Sequence, residues 1–258
     1  MRSDVSKIFV LSLTLAFWCV LVSTSWAFDF SDWDQILKQR VKPGSIRGIS
    51  LYTVDYGGLK GDEKFEQLLS RLKTANLSSI KQGDPALAFW INVYNILAVK
   101  MIVDHHPLDS IRDIGSIFKS VWNRPAGIVG GKEYTLNDVE HEILRKMGEP
   151  RIHVAIVCAS VSCPDLAMEA YTAESLNQQL ERQTALFLGN EKKGLKIDRK
   201  QRKIYVSSIF KWFEEDFDAK GGVRAFIGAY LPPKERSFIN QKDVSIDYLD
   251  YDWGVNEH

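Results

Sequence analysis

Apolar residues at helical spacing mark two segments in the first half of the chain. Residues 63–76, EKFEQLLSRLKTAN, carry Phe65, Leu68 and Leu72 on one predicted face, which indicates an amphipathic helix. Residues 86–103 are apolar at nearly every position, so we expect a central helix that is buried on all sides. This helix must end before Pro107, because proline cannot continue a helix.

Strand-like patterns occupy much of the remaining chain. Residues 128–134 and 194–210 predict hairpins, because short apolar runs flank glycine or polar turns, and residues 41–62 predict a hairpin or a loop. Residues 151–157, RIHVAIV, are rich in β-branched side chains, which predicts a short strand. Residues 232–238, PPKERSF, predict a loop.

This mixture of elements indicates the fold class. The chain shows no internal repeat and no break in composition, so we expect one α+β domain over residues 28–258. In this prediction the central buried helix packs against a small mixed or antiparallel sheet.

Two carboxamides interrupt the apolar central helix, at Asn92 and Asn95 in FWINVYN. Burying an amide without a partner costs on the order of a few kcal/mol, so each side chain must meet a polar group. Together with Lys100, these residues favour a core helix over a membrane span. We therefore expect a mature domain that does not span a membrane.

Residues 1–27 have the pattern of a secretory signal peptide. A basic start precedes an apolar run over residues 8–22, and SWA at 25–27 fits a small-x-small cleavage site. We expect export to a periplasm or to the extracellular space. An uncleaved membrane anchor is the alternative, since the apolar run is nearly long enough to span a bilayer.

The overall composition is that of a globular protein. The chain has 258 residues, of which 45% are apolar, and its 33 basic residues balance 33 acidic ones. A nucleic-acid-binding protein normally has an excess of basic residues, so this balance counts against that class.

Cys158 and Cys163 are the cysteines that follow the predicted signal peptide, too few for a disulfide framework. Cys158 ends the predicted strand, where neighbouring hydroxyl and backbone N–H groups such as those of Ser160 can stabilise a thiolate. The alternatives are a small buried side chain or a Cys158–Cys163 bridge. A redox role is a lesser alternative, because the spacing differs from the CxxC of disulfide exchangers.

Two histidines are candidates for the base that would serve this thiol. His141 lies near the middle of a predicted helix and shares a face with Arg145. His153 lies five residues before Cys158 in the predicted strand, and an odd spacing places two side chains on opposite faces. The pattern favours His141, although each imidazole also fits a structural role. No CxxC, HxxxH or HExxH spacing occurs, so we predict no metal and no cofactor.

Four motifs in this order resemble the DUF547 family of uncharacterised proteins, namely FWINVYN, NDVEHEILR, RIHVAIVCASVSCPDL and the terminal YLDYDWGVN. The resemblance runs from about Asp32 to Asn256. Its motif residues fall here on Asn92, Asn95, Glu140, His141, Arg145, Cys158, Ser160 and Pro164. The family pattern has a glycine where this chain has Ala159, a position suited to a tight turn.

The resemblance implies a thiol-hydrolase site, because an asparagine, a histidine and a cysteine recur in the motifs. In papain-like chemistry the cysteine attacks, the histidine takes its proton and the asparagine orients the imidazole. The implied residues are Cys158 as nucleophile, His141 as base with Glu140 beside it, Asn92 as orienting residue and the backbone near Ser160 as oxyanion donor. This chemistry extends the fold prediction to a distantly papain-like α+β architecture. For both asparagines, a structural role in binding loop backbone is the alternative.

Two classes of function follow from these residues. The first is an exported cysteine-dependent hydrolase or acyl transferase that acts on a peptide or acyl substrate. The second is an extracytoplasmic binding or assembly module without chemistry, in which the two cysteines are structural. Its binding surface would use some of the tryptophans Trp33, Trp122, Trp212 and Trp253.

Overall fold

Helices and short strands alternate through residues 28–116 and 119–258, which the computed structural model describes. The predicted signal peptide, residues 1–27, lies outside the described residues. The α-helices are α1 (Ser31–Arg40), α2 (Glu63–Lys73), α3 (Asp84–His105), α4 (Leu176–Leu188), α5 (Ile209–Trp212), α6 (Glu214–Asp218), α7 (Val223–Ala229) and α8 (Pro233–Ile239). The strands are β1 (Val41–Ile46), β2 (Ile49–Val54), β3 (Pro125–Val129), β4 (Lys132–Thr135), β5 (Leu195–Asp198), β6 (Lys203–Val206) and β7 (Ser245–Tyr248).

Shorter helical segments connect these elements. A π-helix covers Asp138–Leu144. The 3₁₀ helices cover Gly57–Leu59, Leu77–Ser79, Ile111–Ile114, Val121–Asn123, Arg145–Met147 and Pro150–Val154.

The central helix α3 is buried at every position from Leu87 to Val99. It is long and apolar enough to cross a membrane, but 89% of its most apolar window is buried inside the protein. No other helix in the described part of the chain is that long and apolar. The prediction of a buried central helix is thus confirmed.

The strands form three small sheets. β1 pairs with β2 and β3 with β4 as antiparallel hairpins, whereas β5, β6 and β7 form a mixed sheet. In that sheet β5 is antiparallel to β6, and β6 is parallel to β7. α3 packs against β3. The predicted α+β class is confirmed, with the strands divided among separate sheets.

Buried apolar side chains form two clusters. The larger one surrounds α3 and includes α1, α2 and the β3–β4 hairpin. The smaller one joins β5 and β6 to the short helices α5 to α8. The candidate active site lies between the two clusters, because its lining includes Cys158 of the larger cluster and Ile209 of the smaller one.

The prediction of a strand over residues 151–157 is wrong. Pro150–Val154 forms a 3₁₀ helix instead, with Pro150 in its first turn and the Glu149 carboxylate accepting the Arg151 N–H at 3.0 Å. An acceptor before the first turn together with a proline in it favours a helical start. The β-branched side chains of this segment are buried in the core, but its backbone does not pair with a strand of the three sheets.

The loop predicted over residues 232–238 is also wrong, because α8 occupies Pro233–Ile239. Proline at the first helical position has the required φ and lacks only an N–H that would be unpaired there. Phe238 and Ile239 are buried in the smaller cluster and hold α8 against it.

Candidate active site

An open cavity of about 410 Å³ lies between the π-helix, the turn that follows Val157, α5 and the C-terminal segment, residues 249–258. Its lining includes three of the predicted site residues, Glu140, His141 and Cys158. Ser160 does not line the cavity, but its Oγ lies 3.1 Å from the Cys158 sulfur. The structure therefore brings four of the five predicted site residues to one place.

The cysteine turn, residues 158–163, presents the Cys158 sulfur to this cavity. Cys158 is 9% exposed, and its Sγ lies 3.1 Å from Ser160 Oγ and 3.5 Å from the Tyr251 hydroxyl. The Cys163 Sγ lies 3.1 Å away, and both cysteines are free thiols. The backbone N–H of Cys158 donates to Cys163 Sγ at 2.9 Å.

These contacts separate the acidities of the two thiols. The hydrogen bond from the Cys163 thiol, with those from Ser160 and Tyr251, lowers the pKa of Cys158 from 9.0 to about 6, although burial acts in the opposite direction. Burial, followed by the hydrogen bond to Cys158 and its charge, raises the pKa of Cys163 well above its usual value. Cys158 is thus the more acidic of the two thiols, and it is the one that carries the negative charge when one of the pair ionises.

The turn contains a left-handed residue at Ala159, where φ is 59°. An L-residue with a side chain is strained in this region, whereas glycine is not. This conformation explains why glycine suits the position in the DUF547 pattern. In this chain Ala159 adopts the left-handed conformation despite its side chain.

The C-terminal segment binds the cysteine turn through the backbone. The Val161 N–H donates to the Gly254 carbonyl at 2.8 Å, and the Ser162 N–H donates to the Asp252 carbonyl at 3.2 Å. Both amides after Ser160 are therefore occupied. The Ser160 N–H instead lies against the Cys158 sulfur, so the predicted oxyanion donor in the backbone near Ser160 stays a prediction.

Glu140 is a buried carboxyl group in the wall of the cavity. It is 6% exposed and accepts a hydrogen bond from the Tyr94 hydroxyl at 3.2 Å. Burial raises the pKa of Glu140 to about 7. Both its protonated and its ionised form are therefore present near neutral pH.

His141 also lines the cavity, but its hydrogen bonds do not suit a base. Arg145 donates to His141 Nδ1 at 2.8 Å. A guanidinium has no lone pair to offer, so neutral His141 must carry its proton on Nε2 and has no free lone pair on the ring. Burial and the Arg145 charge also lower the pKa of His141. The predicted role of His141 as the base does not fit these contacts.

His153 lies in the same cavity wall as Cys158, which corrects the prediction that the two side chains point apart. That prediction depended on strand alternation, and the segment is not a strand. His153 Nε2 lies 2.6 Å from Asp216 Oδ2, and its Nδ1 lies 4.0 Å from Glu140 Oε1. Since hydrogen bonds from His153 and Arg145 keep the pKa of Asp216 low against the effect of burial, the Asp216 carboxylate accepts the Nε2 proton and His153 Nδ1 keeps its lone pair.

The asparagines of α3 bind backbone groups instead of an imidazole. Asn92 donates to the Tyr171 carbonyl at 2.8 Å and accepts the Tyr171 N–H at 2.9 Å. Asn95 donates to the Ala155 carbonyl at 2.9 Å and accepts the Val157 N–H at 3.0 Å. Asn92 does not orient His141, whose ring contacts Arg145. The structural alternative accounts for both amides.

Aromatic side chains form the outer wall of the cavity. Trp253 packs at 4.5 Å from Tyr251, 5.6 Å from Trp212 and 5.7 Å from Trp122, measured between ring centroids. All four rings line the cavity, and Trp212 is 46% exposed. Trp33 is 1% exposed in the larger core cluster, so it takes no part in this surface.

Several residues of the site were not predicted from the sequence. Tyr251 lies in the terminal motif YLDYDWGVN, which could have identified it, whereas Trp253 of the same motif was predicted as part of a binding surface. The sequence does not indicate that Cys163 contacts the Cys158 sulfur as a free thiol. Asp216 lies in EEDFD, where the sequence gives no sign of its contacts. In the described residues, no group of three or more histidine, cysteine, aspartate or glutamate side chains is arranged to hold a metal ion.

The comparisons with known proteins bear on the family alone. No curated protein and no solved structure matches the chain significantly, so its predicted distant relation to the papain fold stays a prediction. Residues 77–188 match the family model described as "Protein of unknown function, DUF547". The matched region contains α3, the π-helix and the cysteine turn, whereas Asp216, Tyr251 and Trp253 lie beyond it. The match supports the assignment of residues 77–188 of this chain to the DUF547 family.

Proposed function

We propose that this chain is a cysteine-dependent acyl hydrolase or acyl transferase with Cys158 as the nucleophile. One observation carries the proposal: the Cys158 sulfur lies 3.1 Å from the Cys163 sulfur, 3.1 Å from Ser160 Oγ and 3.5 Å from the Tyr251 hydroxyl, three groups that can donate to a thiolate, and it borders a cavity that is open to solvent. A thiolate, not a thiol, attacks carbonyl carbon, and these donors favour the thiolate without a paired imidazolium.

The proposed reaction begins when the thiolate attacks an acyl carbonyl. A bond forms between sulfur and carbon, and the carbonyl π electrons move onto oxygen. Their return expels the leaving group, which takes a proton from Glu140 and leaves a thioester on Cys158. Water or an acceptor nucleophile then attacks the thioester carbon and gives its proton to the Glu140 carboxylate. The carbon–sulfur bond breaks, so that the carboxylic acid or the acylated acceptor leaves and the Cys158 thiolate is restored.

Glu140 fits this role because its pKa is raised to about 7. A group that titrates near the working pH can both give and accept a proton. The hydroxyl of Tyr251, 3.5 Å from the sulfur, is the proposed donor to the developing oxyanion. Burial and the nearby thiolate raise the pKa of Tyr251, so it keeps its proton.

The supporting residues of this mechanism differ from those predicted from the sequence. Arg145 forms a two-point ion pair with Asp216, at 2.7 and 2.8 Å, and so links His141 to His153. Asp216 in turn accepts from His153 and leaves its Nδ1 facing Glu140. We propose that His153 and Asp216 position Glu140 and that His141 offers an Nε2–H to the substrate.

Two further parts of the proposal concern substrate and location. The ring cluster of Trp122, Trp212, Tyr251 and Trp253 suits an acyl or peptide substrate with an apolar group beside the carbonyl. We propose export through residues 1–27 to a periplasm or the extracellular space, with a membrane anchor if that segment is not cleaved.

A binding or assembly module without chemistry is the second candidate, and one observation favours it. Trp212 is 46% exposed within a cluster of four rings, which is the kind of surface that binds a partner. In that case the cavity would bind a ligand without forming a covalent bond to Cys158.

Trapping of the acyl-enzyme distinguishes the two candidates. The protein would be mixed with a panel of p-nitrophenyl esters and peptide thioesters, quenched in acid and digested with trypsin. Both cysteines fall in the tryptic fragment 152–182. We expect an acyl group on Cys158 in this fragment, none in Cys158→Ala, and retention of the adduct in Cys163→Ala. Binding of the same compounds without any adduct would favour the binding module.

A further inference from the structure

We propose that Cys158 and Cys163 form a reversible two-cysteine redox site, in which a low-molecular-weight disulfide oxidises the pair and removes the nucleophile. This inference concerns the regulation of the same sulfur and depends on the thiolate of the proposed function. It does not depend on which acyl substrate the protein uses.

The geometry of the cysteine turn carries the inference. The two sulfurs are 3.1 Å apart, and a disulfide bond is ~2.05 Å long, so an approach of about 1 Å joins them. The Cys158 N–H holds the Cys163 sulfur beside its partner at 2.9 Å. The Cys163 N–H donates to the Ser160 carbonyl at 3.1 Å, which fixes the backbone of the same turn. The resolving thiol is therefore already in place.

The two sulfurs have different roles in the exchange. Cys158 attacks first, because it holds the negative charge, and both sulfurs line the cavity. Cys163 is 4% exposed, and burial raises the pKa of its thiol, so it does not compete for the first step. A low-pKa thiolate beside a second thiol is the arrangement that reversible redox sites use.

The exchange conserves atoms and electrons. The Cys158 thiolate attacks one sulfur of a small disulfide RSSR, forms a mixed disulfide and releases RS⁻. The Cys163 thiol gives up its proton to a released thiolate and attacks the Cys158 sulfur, so that the second RS⁻ leaves. The protein loses two electrons in total, and RSSR becomes RSH and RS⁻. A reducing thiol reverses both steps.

Oxidation would switch off the acyl chemistry, since a disulfide sulfur carries no negative charge. The donors Ser160 and Tyr251 would then have no thiolate to stabilise. Disulfides persist in oxidising compartments, so the switch would matter most if the chain is exported as proposed.

The test uses oxidised glutathione as the small disulfide. The full-length protein would be incubated with it at pH 7, quenched in acid, denatured, treated with N-ethylmaleimide and digested with trypsin. We expect fragment 152–182 to lack two hydrogen atoms and to carry no maleimide. After dithiothreitol, the same fragment should carry a maleimide on each cysteine. Cys19 falls in another tryptic fragment and does not interfere.

Two variants identify the order of events. In Cys163→Ser, we expect glutathione to remain on Cys158 as a stable mixed disulfide. In Cys158→Ser, we expect Cys163 to stay free and fully alkylated. Circular dichroism spectra matching the wild type would show that both variants are folded.

The inference is overturned if the wild type also stops at the glutathione adduct, or if both cysteines stay free. If native Cys158 still reacts with iodoacetamide in those cases, the proposed nucleophile stands and only the redox site is lost. If Cys158 reacts with neither reagent, both proposals fail. Disulfide formation without any acyl-enzyme would leave the redox site and remove the acyl chemistry.

Discussion

At the scale of single residues, the charge on Cys158 is the main feature of the site. Lowering its pKa from 9.0 to about 6 corresponds to on the order of 4 kcal/mol in favour of the anion. Hydrogen bonds to a charged group contribute roughly 1.5–3 kcal/mol each, so three donors exceed the opposing effect of burial. Cys163, Ser160 and Tyr251 supply these donors. An imidazolium is therefore not needed to form the thiolate.

Substitution of Ala159 by glycine tests the backbone conformation of the turn that carries the Cys158 sulfur. Ala159→Gly relieves about 1–2 kcal/mol of left-handed strain. It also loses about 0.8 kcal/mol of methyl burial and about 0.5–1 kcal/mol through the entropy of the unfolded chain. We expect these terms to cancel, so that the free energy of unfolding in urea changes by less than about 0.5 kcal/mol.

Ala155→Gly is the matched control for this variant. Ala155 is equally buried, but its φ is −108°, so glycine relieves no strain there. We expect the control to lose about 1–2 kcal/mol. Equal losses at positions 155 and 159 would contradict the left-handed turn.

At the scale of elements, the helix α3 shows what the sequence could and could not predict. Its uniform burial followed from its uniform apolarity, and the need to satisfy Asn92 and Asn95 followed from the cost of burying amides. Their partners did not follow, because the backbone of residues 155–157 and 171 reaches α3 only through tertiary packing. The error over residues 151–157 has the same origin. This buried segment has the amino-acid composition of a strand, but it forms a 3₁₀ turn, and the backbone that follows the turn binds Asn95.

Substitution of Asn92 by alanine distinguishes a structural role of this side chain from a catalytic one. Asn92→Ala leaves a buried N–H and a buried carbonyl of Tyr171 without partners, so we expect the free energy of unfolding to fall by roughly 2–4 kcal/mol. The pH midpoint for alkylation of Cys158 should not change in the folded variant. A variant of normal stability with a shifted midpoint would instead support the orienting role predicted from the sequence.

At the scale of the whole molecule, the site is assembled from remote parts of the chain. α3 contributes Tyr94, the π-helix contributes Glu140, the cysteine turn contributes the thiols and the C-terminal segment contributes Tyr251. The sequence identified Cys158, Glu140, His141 and Ser160, because they lie in motifs. It favoured His141 over His153 as the base, because the contacts of these rings with Arg145 and Asp216 and the absence of a strand at His153 are not visible in the sequence.

The buried carboxyl of Glu140 should make stability depend on pH. Its pKa is about 7 in the folded protein and 4.5 when free, so the folded state binds more protons between these values. The contribution of Glu140 to the free energy of unfolding should therefore fall by about 3 kcal/mol as pH rises through this window. Glu140→Gln removes this dependence, so the variant should gain about 3 kcal/mol relative to wild type between pH 4 and pH 8.

Urea unfolding of both proteins at several pH values checks this prediction. The other titrating groups are common to the two proteins, so the difference between them isolates Glu140. A difference that stays constant from pH 4 to pH 8 would show that the carboxyl has an ordinary pKa.

The rate at which iodoacetamide alkylates native Cys158, followed from pH 4 to pH 10 in fragment 152–182, tests the thiolate most directly. We predict a half-maximal rate near pH 6, and a midpoint displaced to higher pH in Cys163→Ala, which lacks the strongest donor. A wild-type midpoint at about 8.5 or above, the range of an ordinary thiol, or protection of Cys158 at every pH would contradict the account.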